Sequence, residues 1–150
     1  MEVKILKAKA AHIKYIADHV RDADRQEMLD YNMMTPMESI QLSLWNSQGE
    51  AWTGLVDGVP VTMFGVAKPD WIWLVGTKDI HKYETMFLIK SRKILKKLIE
   101  KHPMLENYVE AKNTRSVEWL KWLGFEFGDP EPMGAHNELF IPFWITGESK

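Results

Sequence analysis

Carboxylates, amines and one asparagine are the side chains whose types and positions could do chemistry in this chain. Glu110 ends a predicted strand, where a carboxylate either accepts a proton from an amine, directly or through water, or sits as an ordinary solvated charge. Glu50 is a second carboxylate open to the same two readings. Asn113 stands just before a short predicted helix, where its carboxamide suits a cap. The basic residues between Lys78 and Lys101 could draw in phosphates or an acidic partner, or form the wet side of an amphipathic helix. His12, His19, His81, His102 and His136 show no short metal-ligand spacing, so no metal site is expected. Cysteine is absent, which removes disulfides, thiol catalysis and cysteine-held zinc or iron–sulfur groups.

These groups must be positioned by a chain of 150 residues, 45% hydrophobic and 27% charged, which suits one domain over 1–150 with a single well-filled core. A net charge of −2 gives no global field for nucleic acid or an anionic membrane, and neither is expected as a partner. No apolar run approaches the roughly 20 residues of a membrane helix. The opening MEVKILKAKA alternates too regularly for a signal peptide. With no cysteine, a reducing cytoplasm is the expected location. Seven tryptophans are many for this length. Trp71 and Trp73 share one side of a strand, as a stacking platform or as core packing.

The periodicity predicts a first strand at Val3, Ile5 and Ala8, then a helical pattern from Lys9 to Asp30 with Asp18, Arg21, Asp22, Asp24, Arg25 and Glu27 on its wet side. Thr35-Pro36 with Glu38 predicts a capped helix to about Asn46. Asp57-Gly58 predicts a tight hairpin between 51–56 and 59–66, and Trp71 to Val75 reads as a central strand. A long helix follows from near Ile80 to Lys101, then a strand at 105–111, a short helix ended at Gly124, a strand from Phe125, a Gly/Pro loop over 128–137 and a last strand at 139–145. The fold class is α/β: a mixed, mostly antiparallel sheet with helices on both faces and one right-handed parallel β-α-β crossover.

The stretch Asn113-Thr-Arg-Ser-Val-Glu-Trp-Leu-Lys-Trp-Leu-Gly-Phe125 resembles the last motif of GNAT-type N-acetyltransferases, and the order of elements is similar to theirs over nearly the whole chain. The segments Arg21 to Arg25, Glu50 to Gly58, Met63 to Val66 and Glu106 to Val109 resemble a group of short phage proteins, labelled GNAT acetyltransferases or internal virion proteins. The resemblance implies a GNAT-like fold and transfer of an acetyl group from acetyl-CoA to a primary amine. The alternative it implies is a noncatalytic assembly or host-protein-binding role, in a virion or the host cytoplasm. It places acetyl-CoA against Trp73, Leu74, Val75 and Gly76, with His81 and Lys82 near the diphosphate and Asn113 and Ser116 on the pantetheine side. Glu110 becomes the base beside the acyl site.

Two departures accompany the resemblance. The glycine-rich diphosphate loop should fall near His81 to Met86, where Glu84 and Met86 stand near the glycine positions. Without glycines, backbone N–H groups lose their close approach to the anion, so cofactor binding is expected to be weak. The tyrosine that many such enzymes use as general acid is Leu120 here, which leaves Tyr108 or Tyr83 as the substitute. The strand from Trp71 should run parallel to that from Leu105 and splay from it at the C-terminal end.

Overall fold

The computed structural model describes residues 1–147. A single twisted sheet runs β1(Val3–Lys7), β2(Ala51–Val56), β3(Val59–Ala67), β4(Trp71–Gly76), β5(Met104–Glu110), β8(Glu138–Thr146) and β6(Glu126–Phe127), with β7(Glu131–Met133) pairing β8 beyond the end of this path. Every pairing is antiparallel except β4 with β5, which are joined by the crossover helix α4(Ile80–Lys101). One face carries α1(Ile13–Asp18) and α3(Pro36–Ser47), where Ile13, Ile16, Val20 and Ile40 pack on Met63 and Val75. The other carries α4 and α5(Thr114–Leu123), where Leu95 and Leu98 pack on Val66, Leu105, Val109 and Phe143. No helix among the described residues is long and apolar enough to cross a membrane.

Local chemistry explains most boundaries. Asp57 and Gly58, at φ 49° and 81°, make the left-handed turn that joins β2 to β3. Thr35 Oγ1 accepts from the Glu38 N–H at 3.2 Å while Glu38 Oε1 accepts from the Thr35 N–H at 3.0 Å, a reciprocal cap for α3. Gly124, at φ 100°, closes α5.

Two expectations need correction. The helical pattern from Lys9 to Asp30 is a 3₁₀ turn (Ala10–His12), α1 and then α2(Asp22–Asn32), broken at His19–Arg21. The break occurs because the chain crosses the end of β4: Val20 bridges Thr77, and the Arg21 N–H donates to the Gly76 carbonyl at 2.9 Å. Part of the supposed wet side is thereby turned inward, with Arg21 and Asp24 only 5% and 6% exposed, while Asp18, Asp22 and Arg25 stay on the surface. The 128–137 loop also holds β7, since Glu131–Met133 completes the edge of β8.

Candidate active site

Strands β4 and β5 meet only at Trp71 and Glu106, then diverge. Side chains, not the partner strand, satisfy the backbone groups facing the gap. Asn107 Nδ2 donates to the Ile72 carbonyl at 2.7 Å and Asn107 Oδ1 accepts from the Tyr108 N–H at 2.7 Å, so one carboxamide wedges the strands apart where the ladder ends. Farther along, the Gly76 N–H donates to Asp24 Oδ2 at 2.9 Å and the Glu110 N–H to Glu27 Oε1 at 2.9 Å. By strand alternation Leu74 is the β4 position between these, and among the described residues nothing bonds it across the gap.

The gap is a passage through the sheet. A largely apolar cavity of about 160 Å³ lies beneath the seam of α4 and α5, and a second of about 160 Å³ opens between α2 and α3. Glu27, Trp73, Leu74, Asn107 and Tyr108 line both.

The N-terminal half of α2 closes one end of the passage with a buried polar network. Arg21 Nη1 pairs with Asp24 Oδ1 at 2.7 Å, Arg21 Nη2 donates to Asn113 Oδ1 at 3.3 Å, and Asn113 Nδ2 donates to Asp24 Oδ1 and Glu27 Oε1 at 3.1 and 3.2 Å. The Arg21 guanidinium also reaches Ser116 Oγ at 3.3 Å and lies 4.8 Å over the Trp119 ring. Its Nε, buried between a Cδ that packs on Gly76 and the indole, has no acceptor among the described residues. Burial raises the Asp24 carboxyl although Arg21 opposes the rise. Burial, with the neighbouring Asp24 charge, pushes Glu27 up to about 8. Once ionised, as pH rises through about 8, this carboxylate lining both cavities is suited to accept a proton from an amine.

Glu110 belongs to a different cluster. It is 1% exposed, and Glu110, Asp30 and Glu138 each bring an oxygen within 4.8 Å of the others. The Lys112 ammonium stands between them at 3.2 Å from Glu138, 3.4 Å from Asp30 and 3.6 Å from Glu110, while His136 Nδ1 lies 2.9 Å from Asp30. Neither Glu110 oxygen has a donor among the described residues. A proton held on Glu110 and shared with Asp30 satisfies both groups: burial and the adjacent Asp30 raise Glu110 to about 7, and the bond from Glu110 holds Asp30 well below the usual carboxylate range. Glu110 lines neither cavity.

At the N-terminus of α4 the 22-residue helix runs unbroken through His81 to Met86. Glu84 ties it to α5, accepting from Trp119 Nε1 at 3.3 Å and Arg115 Nη1 at 3.4 Å, with His81 Nδ1 at 3.6 Å. Lys82 pairs with Asp79 at 3.4 Å.

No family model and no curated protein sequence matches the chain. Solved structures do. A putative acetyltransferase superposes with a TM-score of 0.71 at 15% identity, over 98% of this chain and 84% of its own. Ard1 from Thermoplasma volcanium gives 0.72 at 14% identity, over 97% and 98% of the two chains. The acetyltransferase yncA from Salmonella typhimurium, solved with its cofactor acetyl-CoA, gives 0.67 at 16% identity over 100% and 96%. The chain has the GNAT acetyltransferase fold.

Against that fold the expected residues divide. Trp73 and Leu74 line both cavities, Val75 the α2/α3 one, and Ser116 the α4/α5 one. The Gly76 N–H is already taken by Asp24. Asn113 makes no side-chain cap, because its carboxamide is committed to Asp24 and Glu27; the capping expectation is corrected. His81 and Lys82 are exposed and line neither cavity. Tyr108 lines both, whereas Tyr83 packs beside Val56, Val61 and Phe87. Glu50 pairs with Lys101 and His102, each at 3.1 Å, where the C-terminus of α4 meets the start of β2, and it lines neither cavity. Sequence reasoning missed Arg21, Asp24, Glu27 and Asn107. The spacing of Arg21, Asp24 and Glu27 along one helical face was a usable signal; nothing marked Asn107.

Proposed function

We propose that the chain is an N-acyltransferase that moves an acyl group from a pantetheine thioester, acetyl-CoA being the donor the fold suggests, to a primary amine. The observation that carries this is the passage between β4 and β5, where an apolar cavity and a polar one meet at Leu74 and Glu27. An extended thiol arm fits the α4/α5 side: the gap-facing Leu74 N–H, without a partner across the gap among the described residues, is a donor of the kind that a thioester carbonyl accepts from. A bound thioester supplies the activated acyl carbon. The Leu74 N–H then faces the oxygen on which negative charge develops. Glu27 receives the proton that frees the amine lone pair, from an acceptor entering between α2 and α3, and Tyr108 is the phenol beside the passage placed to return a proton to sulfur. Asn113 and Ser116 act by holding Arg21 and Glu27 in place. Glu110, sealed against Asp30, serves as a brace and not as the base.

The diphosphate of coenzyme A does not fit as well. Helical backbone occupies the place of the glycine loop, and the carboxylate there is Glu84. A dissociation constant well above micromolar follows for acetyl-CoA. The test is thermal melting and calorimetry with acetyl-CoA up to millimolar, together with thiol release in the presence of a panel of amines. Saturable stabilisation, reaching about 2.7 kcal/mol at 100 times the dissociation constant, with amine-dependent thiol release, supports the proposal. Flat melts and no thiol release with any pantetheine thioester, free or carrier-borne, overturn it and leave the second reading, a noncatalytic binding protein in virion assembly or host contact. The helical diphosphate region and Leu120 favour that second reading.

A further inference from the structure

Positive charge is distributed unevenly around the α4/α5 cavity. At its α4 N-terminal end every basic group already has a carboxylate: Lys78 has Asp22 at 3.8 Å, Lys82 has Asp79 at 3.4 Å, and Arg115 and His81 share Glu84 at 3.4 and 3.6 Å. None is left for a diphosphate, and a diphosphate arriving there meets the Glu84 carboxylate. On the outer face of the same two helices the balance reverses. Lys90, Lys93, Lys96 and Lys97 of α4 and Lys121 of α5 are exposed and make no ion pair among the described residues. Exposed Ile89 and Trp122, 49% and 42% accessible, lie among them, with the Arg92 guanidinium 3.7 Å over the Trp122 ring and Arg92 Nη2 donating to the Trp122 carbonyl at 2.6 Å. An anchored tryptophan and arginine within a basic field is the composition of a protein-docking centre, not of a nucleotide pocket.

We infer that the acyl donor is not free coenzyme A but an acidic carrier protein, docked on the outer face of α4 and α5 and presenting its thioester on a phosphopantetheine arm. This rests on the acyltransferase reading above and names its donor. A carrier-borne arm has the thiol end that the cavity accommodates and lacks the adenosine diphosphate for which the described residues form no glycine cradle. Its acidic surface complements the unpaired lysines, which would steer the encounter. In the transfer the acyl carbon exchanges its bond to sulfur for one to the amine nitrogen. The ammonium substrate gives up two protons, one to the carrier's thiol and one through Glu27 to solvent.

Three probes separate the possibilities: acetyl-CoA, acetyl-pantetheine, and a bacterial acyl carrier protein loaded with an acetyl group on its phosphopantetheine. Affinities are measured by calorimetry at low and high salt, for the intact chain and for Lys90→Glu/Lys93→Glu. The loaded carrier should bind at least about tenfold more tightly than acetyl-pantetheine at low salt, and lose that advantage at high salt and in the double variant. Acetyl-CoA and acetyl-pantetheine should bind alike, because the basic side chains at that end are paired with carboxylates and Glu84 opposes the diphosphate. Acetyl-CoA binding tenfold or more above acetyl-pantetheine overturns the inference and leaves the acyltransferase reading standing. So does a carrier that binds no better than acetyl-pantetheine, or one indifferent to the double variant. Failure of all three probes to bind at millimolar concentration overturns both.

Discussion

Two clusters of buried carboxylates flank the C-terminal end of β5, and they differ in access and not in composition. Asp24 and Glu27 sit with Arg21 and Asn113 where the two cavities meet; Asp30 and Glu110 sit with Lys112, His136 and Glu138 behind the strand, touching neither cavity. Both clusters hold carboxyls pushed upward by burial: Asp24 and Glu27 in the first, Glu27 to about 8, and Glu110 to about 7 in the second. A raised pKa alone therefore does not single out a base. What separates the two is that a proton leaving Glu27 has somewhere to go, while the proton on Glu110 is shared with Asp30. In the proposed reaction the chemistry follows the opening, while the sealed pair joins α2 to β5.

The sharpest way to break this distinction is to neutralise each carboxyl in turn. Glu27→Gln should lower kcat/KM by about 10²–10⁴, the usual worth of a positioned base, with the melting profile retained. The parent's kcat/KM should climb with pH to a plateau above about 8, as Glu27 ionises. Glu110→Gln should leave the rate within about threefold. Equal losses in the two variants would erase the contrast.

Next in size is the charge balance of the first cluster. Arg21→Ala strands the Asp24 carboxylate, 6% exposed, beside Glu27. Breaking a buried pair from one side costs about 3–5 kcal/mol, read as a fall in denaturant midpoint. Adding Asp24→Asn should recover much of it. A small loss in the single variant would mean the pair is solvated, and that α2 does not seal the passage as described.

The second cluster sets a pH dependence of opposite use. Glu110 has a folded pKa above its ordinary 4.5, so the folded chain holds this proton while the unfolded chain releases it. Its contribution is therefore fully present below about 4.5 and is lost as pH rises through about 7. A rise from 4.5 to about 7 makes that loss on the order of 3 kcal/mol. Glu110→Gln should flatten that decline between pH 5 and 8 in urea melts, whereas an unchanged slope would place the shared proton elsewhere.

Much of the frame was legible because local rules and tertiary packing agree in it. The Asp57-Gly58 turn, the Thr35-Glu38 cap, the parallel β4–β5 pair and the long α4 follow from residues whose neighbours do what periodicity asks. The site was legible only in part. Leu74 and Asn113 were named from the resemblance and lie beside the gap between β4 and β5, but the charges of α2 read as a solvated face. Periodicity counts charge as wet and cannot see that the helix end is drawn across the end of β4 by the backbone bond from Arg21 to Gly76 and the bridge from Val20 to Thr77. Asn107 was illegible for the same reason: a strand asparagine is unremarkable until the ladder beside it is known to stop. Glu110 was the natural base from sequence because it ends a strand at the expected place. Its depth, set by Asp30 arriving from another helix, is a tertiary fact.

The smallest expected effect isolates the role of Lys112 in the sealed cluster. Its ammonium is the nearest positive charge to Glu110 and opposes the rise of that carboxyl. Lys112→Met removes the charge while keeping most of the stem, so the Glu110 proton should be held to still higher pH, the reverse of what a general base would need. The measurement is the carboxyl titration followed by infrared or carbon-detected NMR, with the rate of acyl transfer as the control. An upward move of the Glu110 titration with an unaltered rate confirms that the cluster is a brace insulated from the passage. A parallel shift in the pH–rate profile would instead couple Glu110 to the chemistry, through the backbone N–H it lends to Glu27, and the two clusters would have to be treated as one site.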